Sequence, residues 1–199
     1  MRIAKGVAEN DDVATGGRLT RSRDTLARLI GDGADITSLA VGYSYVLPER
    51  HLLQVLQSLA PLVEMGAGTG YWAYLLRQMK TDIIAFDQSP PGGARANRYH
   101  PGAPRWTEVL EGDHSVLAAH RARTLFVCWP PLYSSLGECL RFYSGKTVAW
   151  LGDSGVRTAL LAGLEEKFQP ITAYPARALD PCPEAPATLS IWRRRENQP

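Results

Sequence analysis

From Pro61 onward, short apolar runs alternate with segments of helical periodicity, and this alternation constrains the fold more than any other feature of the chain. "PLVEM" precedes "YWAYLLRQMK"; "DIIAFD" and "WTEVLEG" follow; "TLFVCW" precedes "SLGECLRFY", and "TVAWLG" precedes "VRTALLAGLEEKF". The apolar runs have strand length and are bounded by acids, Gly or Pro, whereas the longer segments repeat apolar residues every three or four positions. Strands separated by helices cannot pair as hairpins. They form a parallel sheet with helices on both faces, so the expected class is α/β. "PITAYPA" and "TLSIWRR" then pair as closing strands, with the proline-rich span Pro175 to Pro186 as the loop between them.

A chain of 199 residues holds one sizeable core and is short for two, so one domain with extensions is expected. Hydrophobic residues at 45% and charged residues at 21% exclude wholesale disorder. The net charge of +2 is too small for a general nucleic-acid or membrane-surface protein. The arginines at Arg18, Arg21, Arg23 and Arg28, and at Arg193, Arg194 and Arg195, read as solvated faces. Cys128, Cys139 and Cys182 are odd in number and widely spaced, which fits a reducing compartment rather than a disulfide framework or a zinc site. No apolar run approaches the roughly 18 residues of a membrane span, and "MRIAKGVAENDDVATGG" lacks the apolar centre of a secretory signal. A cytoplasmic location is expected.

Residues 1–17 read as a poorly ordered arm and 18–60 as a helical extension. Within it, "RSRDTLARLIGDG" carries Leu26, Leu29 and Ile30 at helical spacing and stops at glycine. "VLPERHLLQVLQSLA" has Pro48 in a tolerated first turn and Leu52, Val55, Leu56 and Leu59 on one face. The main domain spans 61–199.

The chemistry-bearing stretch lies at the first strand-to-helix junction, "LVEMGAGTGYWAYLL". Gly66, Gly68 and Gly70 allow a turning backbone that a ligand can approach closely, at the sheet edge where doubly wound folds bind ligands. A dinucleotide fingerprint, GxGxxG, would need glycine where Tyr71 stands.

The pattern is instead an acid followed by GxGxG, and "VEMGAGTGYW" resembles the first motif of the class I methyltransferases that use S-adenosylmethionine. The resemblance implies a Rossmann-like doubly wound sheet, mostly parallel with an antiparallel last strand, and S-adenosylmethionine as cofactor. It implies that Gly66, Ala67, Gly68 and Gly70 pass under the amino-acid part of the cofactor and that Glu64 orders the loop and the methionyl ammonium. Asp87 in "IIAFDQS", 21 positions after Gly66, matches the acid that accepts from both ribose hydroxyls, with Gln88 beside it. Asp113 in "LEGDHS" is similar to the adenine-side acid, with Gly112 and His114 on either side of it as cofactor-binding candidates. Each residue also has a bland reading: a turn, a strand-end acid that caps a helix, or, for Asp113, the cap of a helix starting near Ser115.

"LFVCWPPLYSS", after the fourth strand, resembles the Asp or Asn, Pro, Pro, Tyr or Phe motif of methyltransferases acting on exocyclic or amide nitrogens. Trp129 takes the polar position and Leu132 the aromatic one. An indole donates but cannot accept as a carboxamide does, which argues against base methylation of nucleic acid. The backbone carbonyls of Cys128 and Trp129 remain as acceptors. Trp129 itself walls the pocket, faces the sulfonium, or packs in the core. Trp129, Pro130, Pro131 and Leu132, with Tyr43 and Tyr45 of "GYSYVLPERH", are the candidate walls for the acceptor. Simple helix-entry packing is the other reading of Tyr43, Ser44 and Tyr45. Trp72 either covers the methionine end of the cofactor or belongs to the helix core.

Methyl transfer requires alignment and exclusion of water, and a general base only when the acceptor arrives protonated. By position the candidate bases are His114, Asp153, Tyr43 and His51, with Trp129 as a catalytic candidate; none is expected to be essential. No spacing suggests a metal. The expected acceptor is a small molecule, methylated at nitrogen, oxygen or carbon, with nucleic acid disfavoured and no membrane partner. An RNA or protein methyltransferase, an NAD-dependent oxidoreductase and a non-catalytic or non-methylating binder of the cofactor are the alternatives.

Overall fold

The alternation of apolar runs and helical segments resolves into one seven-stranded sheet. The computed structural model describes residues 26, 28–130, 135–153, 162–179 and 186–196. Strands β1 (Leu62–Met65), β2 (Ile83–Asp87), β3 (Leu110–Glu111), β4 (Thr124–Cys128), β5 (Thr147–Asp153), β6 (Phe168–Ala176) and β7 (Ala187–Arg194) lie in the order β3-β2-β1-β4-β5-β7-β6. β1 pairs in parallel with both β2 and β4, and β2 with β3 and β4 with β5 likewise. β7 runs antiparallel between β5 and β6, so the closing pair forms as expected.

Side-chain alternation along the strands divides the core in two. Leu62, Phe126, Ala149 and Leu151 join one buried cluster, and Val63, Leu125, Val127, Val148 and Trp150 join the other. The helices follow this division. α1 (Ile36–Gly42), α2 (Arg50–Ser58) and α3 (Tyr71–Gln78) supply Leu39, Leu52, Leu53, Leu56, Leu75 and Leu76 to the first cluster. α4 (Ser135–Phe142), α5 (Ala162–Lys167) and the 3-10 helix His114–His120 supply Leu136, Leu140, Leu164 and Leu117 to the second. A sheet covered on both faces explains why β1 is buried at every position.

The structure departs from the sequence-based expectation at several points. α1 was not anticipated; it forms because Asp35 caps it, accepting from the amides of Thr37 (3.3 Å) and Ser38 (3.0 Å). Pro48 lies ahead of α2 rather than in its first turn. Of "WTEVLEG" only Leu110 and Glu111 are strand. The crossover between β2 and β3, residues 88–109, contains neither helix nor strand, where a parallel connection usually carries a helix. In the expected first helix, residues 28–31 are helical and residues 21–25 lie outside those described. The arm at 1–17 lies outside them too.

Arg193 and Arg195 are exposed, as a solvated face requires, but Arg194 is structural. It donates to the carbonyls of Gly145 and Tyr143 (2.8 Å each) and stacks over the Phe168 ring at 4.5 Å. Residues ahead of α2 are bonded to those just past β6: the amide of Leu47 donates to the Arg177 carbonyl (2.8 Å), and that of Leu179 to the Tyr45 carbonyl (2.7 Å). Among the described residues, no helix is long and apolar enough to cross a membrane.

Candidate functional site

Because β3, β2, β1 and β4 are neighbours, their carboxyl ends bring Asp113, Asp87, Glu64 and Cys128 to one edge of the sheet. The strand order reverses at β1, and the glycine loop fills that point. Its amides are consumed in order: Gly66 and Ala67 both donate to the Phe86 carbonyl (2.9 and 3.0 Å), Gly70 to Ala67 (2.8 Å), and Gly68 to Oδ2 of Asp87 (2.9 Å). The other Asp87 oxygen accepts from the Ser89 amide (2.8 Å). One carboxylate therefore joins the loop after β1 to the loop after β2. Gly68 and Gly70 sit at φ +53° and +75°, and a Cβ would lie 2.4 Å from His100 Nε2 at the first and 2.6 Å from Val109 Cγ2 at the second. Only glycine meets both the dihedral and the space.

Beneath the loop lies a buried polar group. Glu64 is 1% exposed, and burial pushes its carboxyl from an ordinary 4.5 up to about 8, with Arg77 opposing and Asp87 reinforcing the shift. Its Oε2 has no hydrogen-bond partner among the described residues. Burial, then the neighbouring Glu64, holds the Cys128 thiol well above its ordinary range, with Ser44 and Trp72 opposing. Trp72, 3% exposed, donates its indole N–H to Ser44 Oγ (2.9 Å) and meets Phe126 edge-on. Of the two readings of Trp72, the geometry is that of core packing.

Just past β3, Asp113 is exposed and caps the 3-10 helix, accepting from the Ser115 amide (2.9 Å); the Ser115 hydroxyl, then this amide, lower its pKa. Gln88 Nε2 stands 3.3 Å from His114 Nδ1. The capping reading of Asp113 is therefore realised, two residues beyond the point where β3 pairs in parallel with Asp87 of β2.

The N-terminal segment forms a roof. The carbonyls of Val41, Gly42 and Tyr43 take hydrogen bonds from His100 Nδ1 (2.7 Å), Trp106 Nε1 (2.9 Å) and the Thr69 hydroxyl. The Tyr43 ring packs on Tyr71 and Trp106 at 5.1 and 4.9 Å, and burial raises its pKa. Tyr45 donates to the Tyr99 carbonyl (2.7 Å) and meets His100 edge-on. Trp129 is half-buried at φ +46°, uncommon for a bulky side chain, with its amide donating to Leu151 (2.7 Å). Pro130 follows it; Pro131 and Leu132 lie outside the described residues. Asp153 ends β5, the next strand, and is half-buried. His51, on α2, is 3.1 Å from the Pro175 carbonyl of β6 and joins none of these groups. Among the described residues, no three His, Cys, Asp or Glu side chains are grouped to hold a metal.

Sequence reasoning missed His100, Trp106, Thr69 and Val109, all of which pack on or bond to this loop or its roof. Three of them lie in the irregular crossover, where no periodicity marks a facing side. The only signal is the pair of large rings in "NRYHPGAPRW", a segment otherwise rich in Pro, Gly and polar residues.

No family model matches the chain, and no curated protein does. Among solved structures, one concerned with conversion of a disulfide bond into a thioacetal group during echinomycin biosynthesis is 16% identical, over 79% of this chain and 85% of that one, with a TM-score of 0.50. The methyltransferase domain of bacterial CtHen1-CN is 11% identical over 72% and 95% of the two chains, also at 0.50. A Pyrococcus abyssi tRNA (uracil-54, C5)-methyltransferase in complex with S-adenosylhomocysteine is 10% identical over 72% of this chain and 37% of its own, at 0.47. At such identities the likeness is one of fold. The acceptors in these names differ in kind and decide nothing about the acceptor here.

Proposed function

We propose that this chain, which has the Rossmann-like fold of the class I S-adenosylmethionine-dependent methyltransferases, binds S-adenosylmethionine and methylates a small-molecule acceptor. The observation that carries the reading is the set Glu64, Gly66 to Gly70 and Asp87 on adjoining strand ends, with a buried Glu64 oxygen at its base that has no partner among the described residues. An orphaned buried carboxyl oxygen costs stability unless it serves a ligand donor, and an α-ammonium is such a donor.

In this reading Glu64 holds the ammonium, and Gly66, Ala67, Gly68 and Gly70 lie against the amino-acid part. Asp87 accepts from the ribose hydroxyls with lone pairs left over from its two amide bonds, each oxygen having two. Gln88, Gly112, Asp113 and His114 border the adenine. The bound cofactor supplies an electrophilic methyl on a sulfonium. The protein's part is to align the acceptor and exclude water, which suits the roof of Tyr43 and Tyr45 and the wall of Cys128, Trp129 and Pro130. Trp129 presents an aromatic face favourable to positive charge, and its carbonyl orients an acceptor N–H or O–H. His114, Asp153 and Tyr43 are the available bases for a protonated acceptor.

A small-molecule acceptor is supported by the low net charge and by Trp129 in place of a carboxamide. A nucleic-acid acceptor is the second reading: Arg95 and Arg98 are exposed on the irregular crossover, with the Arg98 guanidinium 5.4 Å over the Tyr99 ring. Calorimetric titration with S-adenosylmethionine, S-adenosylhomocysteine, NAD and NADP tests the cofactor. Micromolar binding of the adenosylated sulfur ligands alone is expected; binding of NAD, or of nothing, overturns the reading. RNA binding that persists at physiological salt would move the acceptor to the second reading.

A further inference from the structure

The irregular crossover delivers an imidazole onto the glycine loop. His100 is 8% exposed, and its ring stands against Gly68, with Nε2 and Cδ2 at 2.4 and 2.6 Å from the place a Cβ would take. Its Nδ1 is 2.7 Å from the Val41 carbonyl. A carbonyl only accepts, so Nδ1 carries the proton and Nε2 of the neutral ring is a lone pair beside the loop. The placement is built rather than incidental. Asn97 Oδ1 accepts from the amides of Tyr99 and His100 (2.9 Å each), Asn97 Nδ2 donates to the Ser89 carbonyl (2.8 Å), and the Ser89 amide is held by Asp87 (2.8 Å). Asp87 and His100 are thus positioned by one continuous run of hydrogen bonds. A crossover that gives up its helix yet is bonded this thoroughly has the character of a binding loop.

We propose that His100 is a cofactor-binding residue whose Nε2 accepts a hydrogen bond from the adenosyl cofactor as it lies along Gly68. The assignment rests on the cofactor reading above. Two donors on such a ligand qualify, a ribose hydroxyl and the α-ammonium. Burial lowers the pKa of His100, with the Val41 bond and the charge of Asp87 opposing, so the ring is neutral at neutral pH and its acceptor is available. Protonation converts Nε2 into a donor facing a donor. Around the ring, Asp87 on β2 acts through its charge and Tyr45 on the N-terminal segment meets the ring edge. Glu64 titrates near 8, outside the acid window of an imidazole with a lowered pKa.

The test is calorimetry on the full chain, wild type and His100→Phe, with S-adenosylhomocysteine and with methylthioadenosine, between about pH 5 and pH 8. Phenylalanine keeps a ring on Gly68 and removes both nitrogens. Wild-type affinity is expected to fall as pH drops into the acid window. His100→Phe is expected to bind about tenfold more weakly at neutral pH and to show a shallower fall in affinity with acid than wild type. Equal losses with both ligands assign the bond to the ribose, because methylthioadenosine has no ammonium; loss confined to S-adenosylhomocysteine assigns it to the ammonium. An acid profile identical in the two proteins, or unchanged affinity in the variant, overturns the proposal. A wild-type profile flat through the acid window overturns it without any variant. Failure of wild type to bind either ligand at any pH instead strikes the cofactor reading itself.

Discussion

Replacing Glu64 with Gln tests whether the base of the site is a buried acid kept neutral. Glutamine has the shape of the protonated side chain and can still accept from the Ala73 amide that bonds Glu64. In the folded protein the carboxyl titrates near 8, against 4.5 when exposed. Between those values the folded chain holds a proton that the unfolded chain releases, so stability falls as pH rises. The contribution is fully present below 4.5 and gone above about 8. At about 1.4 kcal/mol per unit the loss amounts to about 3 kcal/mol at pH 7, about 4 kcal/mol at pH 8 and about 5 kcal/mol well above it. Urea unfolding of wild type and Glu64→Gln at pH 5, 6, 7 and 8 reads the difference directly, since the shifts at Asp35, Asp113 and His100 are common to both proteins. The variant is expected to match wild type near pH 5 and to exceed it increasingly above. A difference that does not change with pH refutes the buried neutral acid. On the functional reading the same variant binds S-adenosylmethionine more weakly, because glutamine cannot give up a proton to pair with the ammonium on binding.

Three further substitutions probe the same framework. Gly68→Ala places a methyl 2.4 Å from His100 Nε2 at a positive φ, so it should cost about 2–4 kcal/mol in urea unfolding and abolish calorimetric cofactor binding; a fully stable variant would show that the loop is not held as described. Asp87→Ala removes the acceptor for the Gly68 and Ser89 amides; a loss of about 1–3 kcal/mol in cofactor affinity is expected by titration, and unchanged affinity removes Asp87 from the site. Asp35→Ala uncaps α1 and should lower stability by about 1 kcal/mol in urea unfolding, with any larger effect on ligand affinity indicating that the roof it supports covers the cofactor.

How much was legible in the sequence varied with the kind of structure. The strands β1, β2, β4, β5 and β7 fall within a residue or so of their apolar runs, because burial on both faces leaves a continuous hydrophobic signal. The acid and glycine pattern at Glu64 to Gly70 was readable because only glycine satisfies a positive φ under close packing, here at Gly68 and Gly70. α1 was not readable: its seven residues depend on the Asp35 cap, and few of them are buried. Trp72 shows the limit for single residues. Its type and position allowed a ligand cover or a core anchor, and Ser44, 28 residues away in sequence, decides for the core.

The sequence by itself determined the alternation that requires a mostly parallel sheet, the closing antiparallel pair and the acids at successive strand ends, since each is a local consequence of periodicity or backbone sterics. Only the tertiary structure decided what surrounds those residues. The burial that raises the pKa of Glu64 and of the Cys128 thiol, the roof from Val41 to Tyr45, and the imidazole set on Gly68 all arise from contacts between segments far apart in the chain. A carboxylate or imidazole carries the same letter in every setting; its protonation and the direction of its lone pairs come from neighbours that the linear order does not place beside it.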